Sequence, residues 1–251
     1  MKKNIEIIGM IYKSPSYLTM MINQFLSEYN QVDDWNIKFR ILVNNPQEKL
    51  LPYLAKAITS FGDKIIFDIY EDNSPIDYYL NRVYRCWNYG GRVTKYDNIC
   101  FVNSDMIFSK NWLGNLLKHH DGINIPCSKL FESGKMPSGK WGETMHFGSN
   151  PVNMNYLSWY QYAEYKQTID KGIGIGGLYM PCIFSSQRFY ESGGYPEGNI
   201  YVGGAGQINT TFVKSGDDYF FHDILEQKFG MRHITSFDSL VYHFQEGELC
   251  D

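Results

Sequence analysis

Three stretches of this 251-residue sequence gather side chains able to do chemistry. The first is Asn103-Ser104-Asp105, which closes the apolar run at 99–102. A carboxylate is costly to bury unpaired, so an acid ending a buried strand either caps the next segment or holds something. As a ligand, Asp105 offers a hard oxygen suited to Mg2+ or Mn2+, whose other vertices would be phosphate oxygens and water. On this fragment alone capping is the commoner use of such an acid. The second stretch is Asp217-Asp218 at the start of "DDYFFHDILEQKFG". Two acids there are stabilised by the helix dipole, and the chemical alternative is a general base that deprotonates an attacking hydroxyl. The third is His243 in "LVYHF", an imidazole metal ligand or a satisfied half-buried histidine. A fourth stretch is a decoy. Gly172, Gly174 and Gly177 satisfy G-x-G-x-x-G, but that fingerprint needs a strand before it and a helix after it. Here a polar helix-like segment precedes and a strand follows, so flexible backbone near a substrate is the better reading.

The elements that must position these residues alternate strand and helix through the first half. Strands are expected at 5–12, 39–45, 64–71 and 98–103, with helices at 16–30, 46–62 and 74–95 between them. This alternation argues for right-handed βαβ units and a mostly parallel sheet. Ligands bind such sheets at the carboxyl ends of the strands, which is where Tyr12, Asn44 and Asp105 fall. The second half is less regular, with helices expected at 109–120, 186–194 and 217–230 and strands at 178–186 and 239–244. Residues 132–158 are rich in Gly, Ser, Pro and polar side chains. They read as a long loop, either a lid carrying Trp141 and His146 or a plain surface insertion. No repeat, low-complexity tract or linker divides the chain, so one α/β domain is expected over 1–251.

Composition narrows the function classes. With 23 Lys+Arg against 27 Asp+Glu the net charge is −4, which argues against a general nucleic-acid binder. Aromatic residues make up 16%, enough for stacking on sugars or bases and equally for an aromatic core. The five cysteines, at 86, 100, 127, 182 and 250, form no CxxC pair, which fits a reducing compartment. The start "MKKNIEIIGMIYKS" is basic then apolar, but Glu6 interrupts a run too short for a secretion signal, and no stretch is long enough for a membrane span. A cytoplasmic protein is expected, working peripherally at a membrane through a partner if at all.

Set end to end, the fragments resemble glycosyltransferase family 2 on a GT-A, nucleotide-sugar-binding fold. "IIGMIYKSPSYLTMMINQFL" is similar to the family's opening strand and helix. "CWNYGGRVTKYDNICFVNSDMIFSKNWL" is similar to its central N-x-G … D-Y-I-x-F-x-N-S-D block, and "GGLYMPCIFSSQRFYESGGYPE" to the strand leading into F-x-x-x-G-G-F-D-E. "SGDDYFFHDILEQKFG" matches the E-D helix and "VYHF" the late strand with its histidine. The likeness runs from about 5 to 245, with 132–170 unmatched.

The resemblance implies roles position by position. Asp105 matches the last acid of the metal-binding D-x-D, with Asn103 where the first often stands and Ser104 between them against the nucleotide sugar. His243 matches a late histidine that completes the metal or pyrophosphate site in some GT-A enzymes. Asp218 matches the catalytic base and Asp217 its neighbour. Tyr12 and Lys13 lie where the first loop meets the nucleotide, and Asn88 and Gly90 match the N-x-G bordering it. The family's second strand ends in acids, whereas this chain has Asn44, Asn45 and Pro46, leaving Asp72 as a replacement. The implied cofactor is Mn2+ or Mg2+, and the implied donor a UDP, GDP or dTDP sugar. The implied acceptor is a glycan or a lipid-linked molecule. Residues 1–106 would form the nucleotide half and 107–251 the acceptor half. A nucleotidyltransferase would want a Gly-rich basic loop after the first strand, where "GMIYKSPS" supplies one Lys. A non-catalytic sugar-binding module is the other alternative, and retention of both Asp105 and Asp218 weighs against it.

Overall fold

The computed structural model describes residues 2–72, 79–196, 216–245 and 247–248. One sheet of ten strands runs through it, in the order β3-β2-β1-β4-β9-β6-β10-β5 with β7 and β8 paired off that path. β1 (Lys3–Ile11) lies inside, buried from Ile5 onward, and pairs in parallel with β2 (Trp35–Asn44) and β4 (Asn98–Val102). β3 (Ile65–Tyr70) extends the parallel half beyond β2. β1 and β4 are covered on both faces and read as near-continuous apolar runs, whereas β2 and β3 are partly exposed and show through their β-branched and aromatic residues.

Helices cover this half. α1 (Pro15–Phe25) opens on Ser14, whose hydroxyl accepts from the Tyr17 N–H, with Pro in its first turn. It lies close on β1 at Gly9, where an added Cβ would sit 2.5 Å from the Met21 sulfur. The periodic pattern predicts this helix to residue 30, but it stops at Phe25. Asn30 ends it: its amide donates to the carbonyls of Gln24 and Phe25, and its oxygen accepts from the Trp112 indole at 2.8 Å. α2 (Leu51–Phe61) and α3 (Tyr79–Val93) follow their strands.

The second half departs further from expectation. After β5 (Met106–Phe108) and α4 (Trp112–Leu117) comes β6 (Asn124–Glu132), a fully buried strand that sequence pattern does not reveal. Its polar residues are satisfied at long range. Ser128 bonds the Ser239 hydroxyl at 2.8 Å, and the Lys129 ammonium sits between Glu143 and Asp170. The region expected as a loop holds β7 (Glu143–Thr144) and α5 (Tyr156–Ile169), and the Trp141 indole N–H is tied to the Ile175 carbonyl. The glycine decoy falls at β8 (Ile173–Ile175), where Gly177, at φ +134°, packs against Thr235. β9 (Cys182–Ser185) runs antiparallel to β4, and α6 (Ser186–Glu191) follows it.

The last helix is composite. α7 (Gly216–Asp218) leads into a π-helical stretch, Tyr219–Glu226, and then α8 (Gln227–Phe229). β10 (Arg232–His243) starts seven residues before the expected strand, pairs in parallel with β6, and shifts register between Ser236 and Leu240. No helix among the described residues is long and apolar enough to cross a membrane.

Candidate functional site

The carboxyl edge of the sheet brings Asp105 and His243 together. Asp105 follows β4 and His243 ends β10, whose pairing with β5 sets His243 opposite Met106. The Asp105 Oδ2 lies 3.1 Å from the His243 Nε2, and the Gly247 N–H donates to the same oxygen at 3.1 Å. On the other side of the ring, His243 Nδ1 is 3.1 Å from Glu132 at the end of β6. Burial alone would pull the imidazole down, but the two flanking carboxylates raise its pKa to about 10. Burial likewise opposes ionisation of Asp105 and Glu132, and the facing imidazole outweighs it, holding both below the usual carboxylate range.

The donor set fits a divalent ion. Two adjacent vertices of an octahedral shell with bonds of about 2.1 Å stand about 3 Å apart, and the Asp105–His243 separation is 3.1 Å. Glu132 would then be the outer partner that fixes ring orientation and tautomer, a usual companion of a ligating histidine. Among the described residues no group of three or more His, Cys, Asp and Glu gathers as ligands. Phosphate and water oxygens would fill the remaining vertices. Asn103 is half-buried beside this pair, and the Ser104 hydroxyl bonds Glu248.

The turn after β1 forms the adjoining wall. The Tyr12, Lys13 and Ser14 N–H groups all donate to the Glu248 carboxylate. The Tyr12 hydroxyl accepts from the Gln47 amide at 2.9 Å, and its side chain stays exposed. Asn44 is buried, its amide toward the Met10 sulfur, and it also accepts from Asn45. Asn45 takes a left-handed φ of 48° and its oxygen accepts from the Asp72 N–H at 2.8 Å. Asp72 is paired with Arg85 of α3 at 2.6 Å.

Asn88 and Gly90 face inward from α3. Asn88 bonds both the N–H and the carbonyl of Tyr195 at 2.8 Å, and a Cβ on Gly90 would lie 2.7 Å from Leu42. Asn88 is thus committed to the Tyr195 backbone, and Gly90 to the packing of α3 on Leu42 and Ile8.

Asp217 and Asp218 form a second centre at the start of α7. Asp217 accepts from the Tyr84 hydroxyl at 3.3 Å, and the Tyr179 hydroxyl donates to Asp218. Burial, with the Asp218 charge beside it, lifts Asp217 to about 6, although the Tyr84 hydroxyl pulls it back. Tyr179 stacks on the His233 ring at 5.4 Å, and burial, with Asp218 next to it, pushes its own ionisation well above the ordinary phenol. π-helical turns are frequent at functional sites, and this one begins directly after the acidic pair.

Four participants escape sequence reasoning: Glu132, Glu248, Tyr84 and Tyr179. Glu132 sits in a strand hidden by its polar residues, and Glu248 lies beyond the last recognisable element. Tyr179 is within the "GGLY" segment, which flagged close backbone and not a side chain. Nothing distinguishes Tyr84 among 20 tyrosines.

No protein-family model matches the chain, and no curated protein matches it. Solved structures do. The chain superposes on GalNAc-T7 with UDP, GalNAc and Mn2+ at a TM-score of 0.59 and 9% identity, covering 96% of this chain and 44% of that one. It superposes on mannosyltransferase PcManGT from Pyrobaculum calidifontis, solved with GDP-Man and Mn2+, at 0.58 and 12%, covering 99% and 59%. For S. aureus TarS 1-349 the values are 0.54 and 13%, covering 97% and 60%. The chain thus spans about half the length of these structures. What it shares with them is the fold, a GT-A type curled and mostly parallel sheet flanked by helices.

Proposed function

We propose that the protein is a divalent-cation-dependent glycosyltransferase of the family 2 type. It would move a sugar from a nucleoside-diphosphate donor to a hydroxyl of a glycan or lipid-linked acceptor. The observation that carries this reading is the Asp105–His243 pair at the carboxyl edge, spaced as adjacent ligands of one ion. That two similar folds were solved with Mn2+ and UDP or GDP-Man supports it.

In this reading residues 1–106 supply most of the donor side, joined there by His243, and 107–251 the acceptor side. Asp105 and His243 would hold Mn2+ or Mg2+, with His243 releasing its Nε2 proton on loading. Glu132 keeps the ring aimed at Asp105. The bound ion supplies positive charge that stabilises the departing diphosphate. Tyr12, Lys13 and Ser104 line the nucleotide side, with Asn103 beside the ion. Asp218, steadied by Tyr179, removes the acceptor hydroxyl proton, and one in-line displacement inverts the anomeric centre. Asp217 is its partner acid.

A thermal-shift panel tests the reading. With Mn2+ and UDP, GDP or dTDP at about a hundred times Kd, one pair should stabilise the fold by roughly 3 kcal/mol, or about 5–10 °C. Asp105→Ala should remove the shift. No shift with any of the three would refute the proposal.

A further inference from the structure

The β1–α1 turn already contains its own anion. The N–H groups of Tyr12, Lys13 and Ser14 reach the Glu248 carboxylate at 2.9, 2.6 and 2.8 Å, and the Ser104 hydroxyl bonds it too. These donors belong to the turn that leads into the N-cap Ser14, and buried backbone N–H groups of this kind must find an acceptor in water, a side chain or a bound anion. Here a buried side chain, 9% exposed, takes all three. Burial raises the Glu248 carboxyl while these donors pull it back.

The neighbouring residue reaches the other half of the site. Gly247 donates its N–H to Asp105 Oδ2 at 3.1 Å, and its φ of 57° is the left-handed backbone that lets successive residues aim at separate targets. Two consecutive residues therefore touch Tyr12, Lys13, Ser14, Ser104 and Asp105. Those contacts cover the proposed nucleotide turn and the proposed cation ligand together. Because a resident carboxylate occupies the turn's donors, a diphosphate is not held by them. What the turn can present is the exposed Tyr12 ring, braced by Gln47, and the Lys13 side chain.

We propose that Glu248 is a positioning residue for the donor nucleoside. Its carboxylate locks the turn in the shape that receives the nucleoside, so binding meets a surface already ordered. This inference rests on the donor-site reading above.

The test is calorimetric titration of UDP, GDP and dTDP, each with Mn2+, into the wild-type chain and into Glu248→Gln. Glutamine keeps the size and one acceptor but turns an NH2 toward backbone N–H groups. The nucleotide that binds the wild type should bind Glu248→Gln about tenfold or more weakly. The loss should persist well below the variant's melting temperature, a separation that a merely structural residue would not give. Equal affinity would overturn the inference. So would tighter binding, which would make the carboxylate a competitor that the ligand must displace. If Glu248→Gln does not fold, Glu248→Asp, charged but one methylene short, goes through the same titration with the same expectation and the same refutations. If the wild type binds none of the three nucleotides, the donor-site reading itself fails and this inference falls with it.

Discussion

Asp217→Asn should make the protein more stable at neutral pH while impairing it as a catalyst. In the folded chain burial, with Asp218 adjacent, lifts the Asp217 carboxyl to about 6, against about 3.9 for an unfolded aspartate. The folded state thus binds this proton more tightly than the unfolded state. The associated stability is complete below the unfolded pKa and is lost as pH rises through about 6. Two pH units correspond to about 3 kcal/mol, an upper figure because Asp217 is half-buried. About half of it, roughly 1–1.5 kcal/mol, is expressed between pH 5 and pH 8. Asparagine keeps an acceptor for the Tyr84 hydroxyl and never ionises. Urea unfolding at both pH values therefore gives a direct comparison. The variant should gain on the wild type by about 1 kcal/mol on going from pH 5 to pH 8. A constant difference across that range, or a variant that loses ground as pH rises, would refute the assigned burial and the strain placed on this acid.

Two other perturbations test groups that hold the sheet. Arg40 lies between Glu6, which is fully buried, and Asp68, bridging β1, β2 and β3. Arg40→Met leaves the Glu6 carboxylate unpaired and should cost about 3–5 kcal/mol, or roughly 6–20 °C in melting temperature. Adding Glu6→Gln should recover more than half of that, and a double variant no better than the single would count against the pairing. His233 is buried, its Nε2–H donating to the Leu178 carbonyl at 3.2 Å, and burial lowers its pKa to about 4. Its folded pKa lies below the unfolded value near 6.5, so its stability is present above about pH 6.5 and drains as pH falls toward 4. Between pH 7 and 4.5 the wild type should lose about 2 kcal/mol relative to His233→Gln in urea titrations, and equal pH slopes would sink the assignment.

What could be read from the sequence follows from where each residue's partners lie. β1 and β4 are near-continuous apolar runs, and α1 and α2 carry an apolar face, so local pattern finds all four, although α1 stops at Phe25 and α2 begins at Leu51 and not at Pro46. β6 and the part of β10 before Ser239 do not read as strands because Ser128, Lys129, Thr235, Ser236 and Asp238 are buried among them. Their partners are remote in sequence: Ser128 and Ser239 are 111 residues apart, and Asp238 pairs with Lys118 across 120. α5 has tyrosines on every side and no apolar stripe, so its period is hidden. The same logic divides the site. Asp105 and His243 are conspicuous as residue types at strand ends, whereas Glu132 and Glu248 acquire meaning only through contacts made across 111 and 234 or more residues.

The acids of the two centres are held in opposite electrostatic states, and that contrast bears on which of them would do what. Asp105 and Glu132 face one imidazole and are kept ionised despite burial. A group held as a fixed anion suits holding a cation, because it does not compete with its own proton near neutral pH. Among the described residues Asp217 faces no such charge; it has a phenol on one side and a second carboxylate on the other. Its proton therefore comes and goes near the pH where an acceptor hydroxyl must lose one, the condition under which a base works best. Separation of titratable groups into those pushed down and those pushed up is how one site sorts its binding acids from its reacting acids. The charge on Asp218 adds to the burial that lifts Asp217. Tyr179 donates to Asp218 and holds that carboxylate in place. An Asp217 variant should therefore change the pH profile of activity near 6, whereas the proton-accepting role proposed for Asp218 predicts that Asp218→Asn removes activity at every pH.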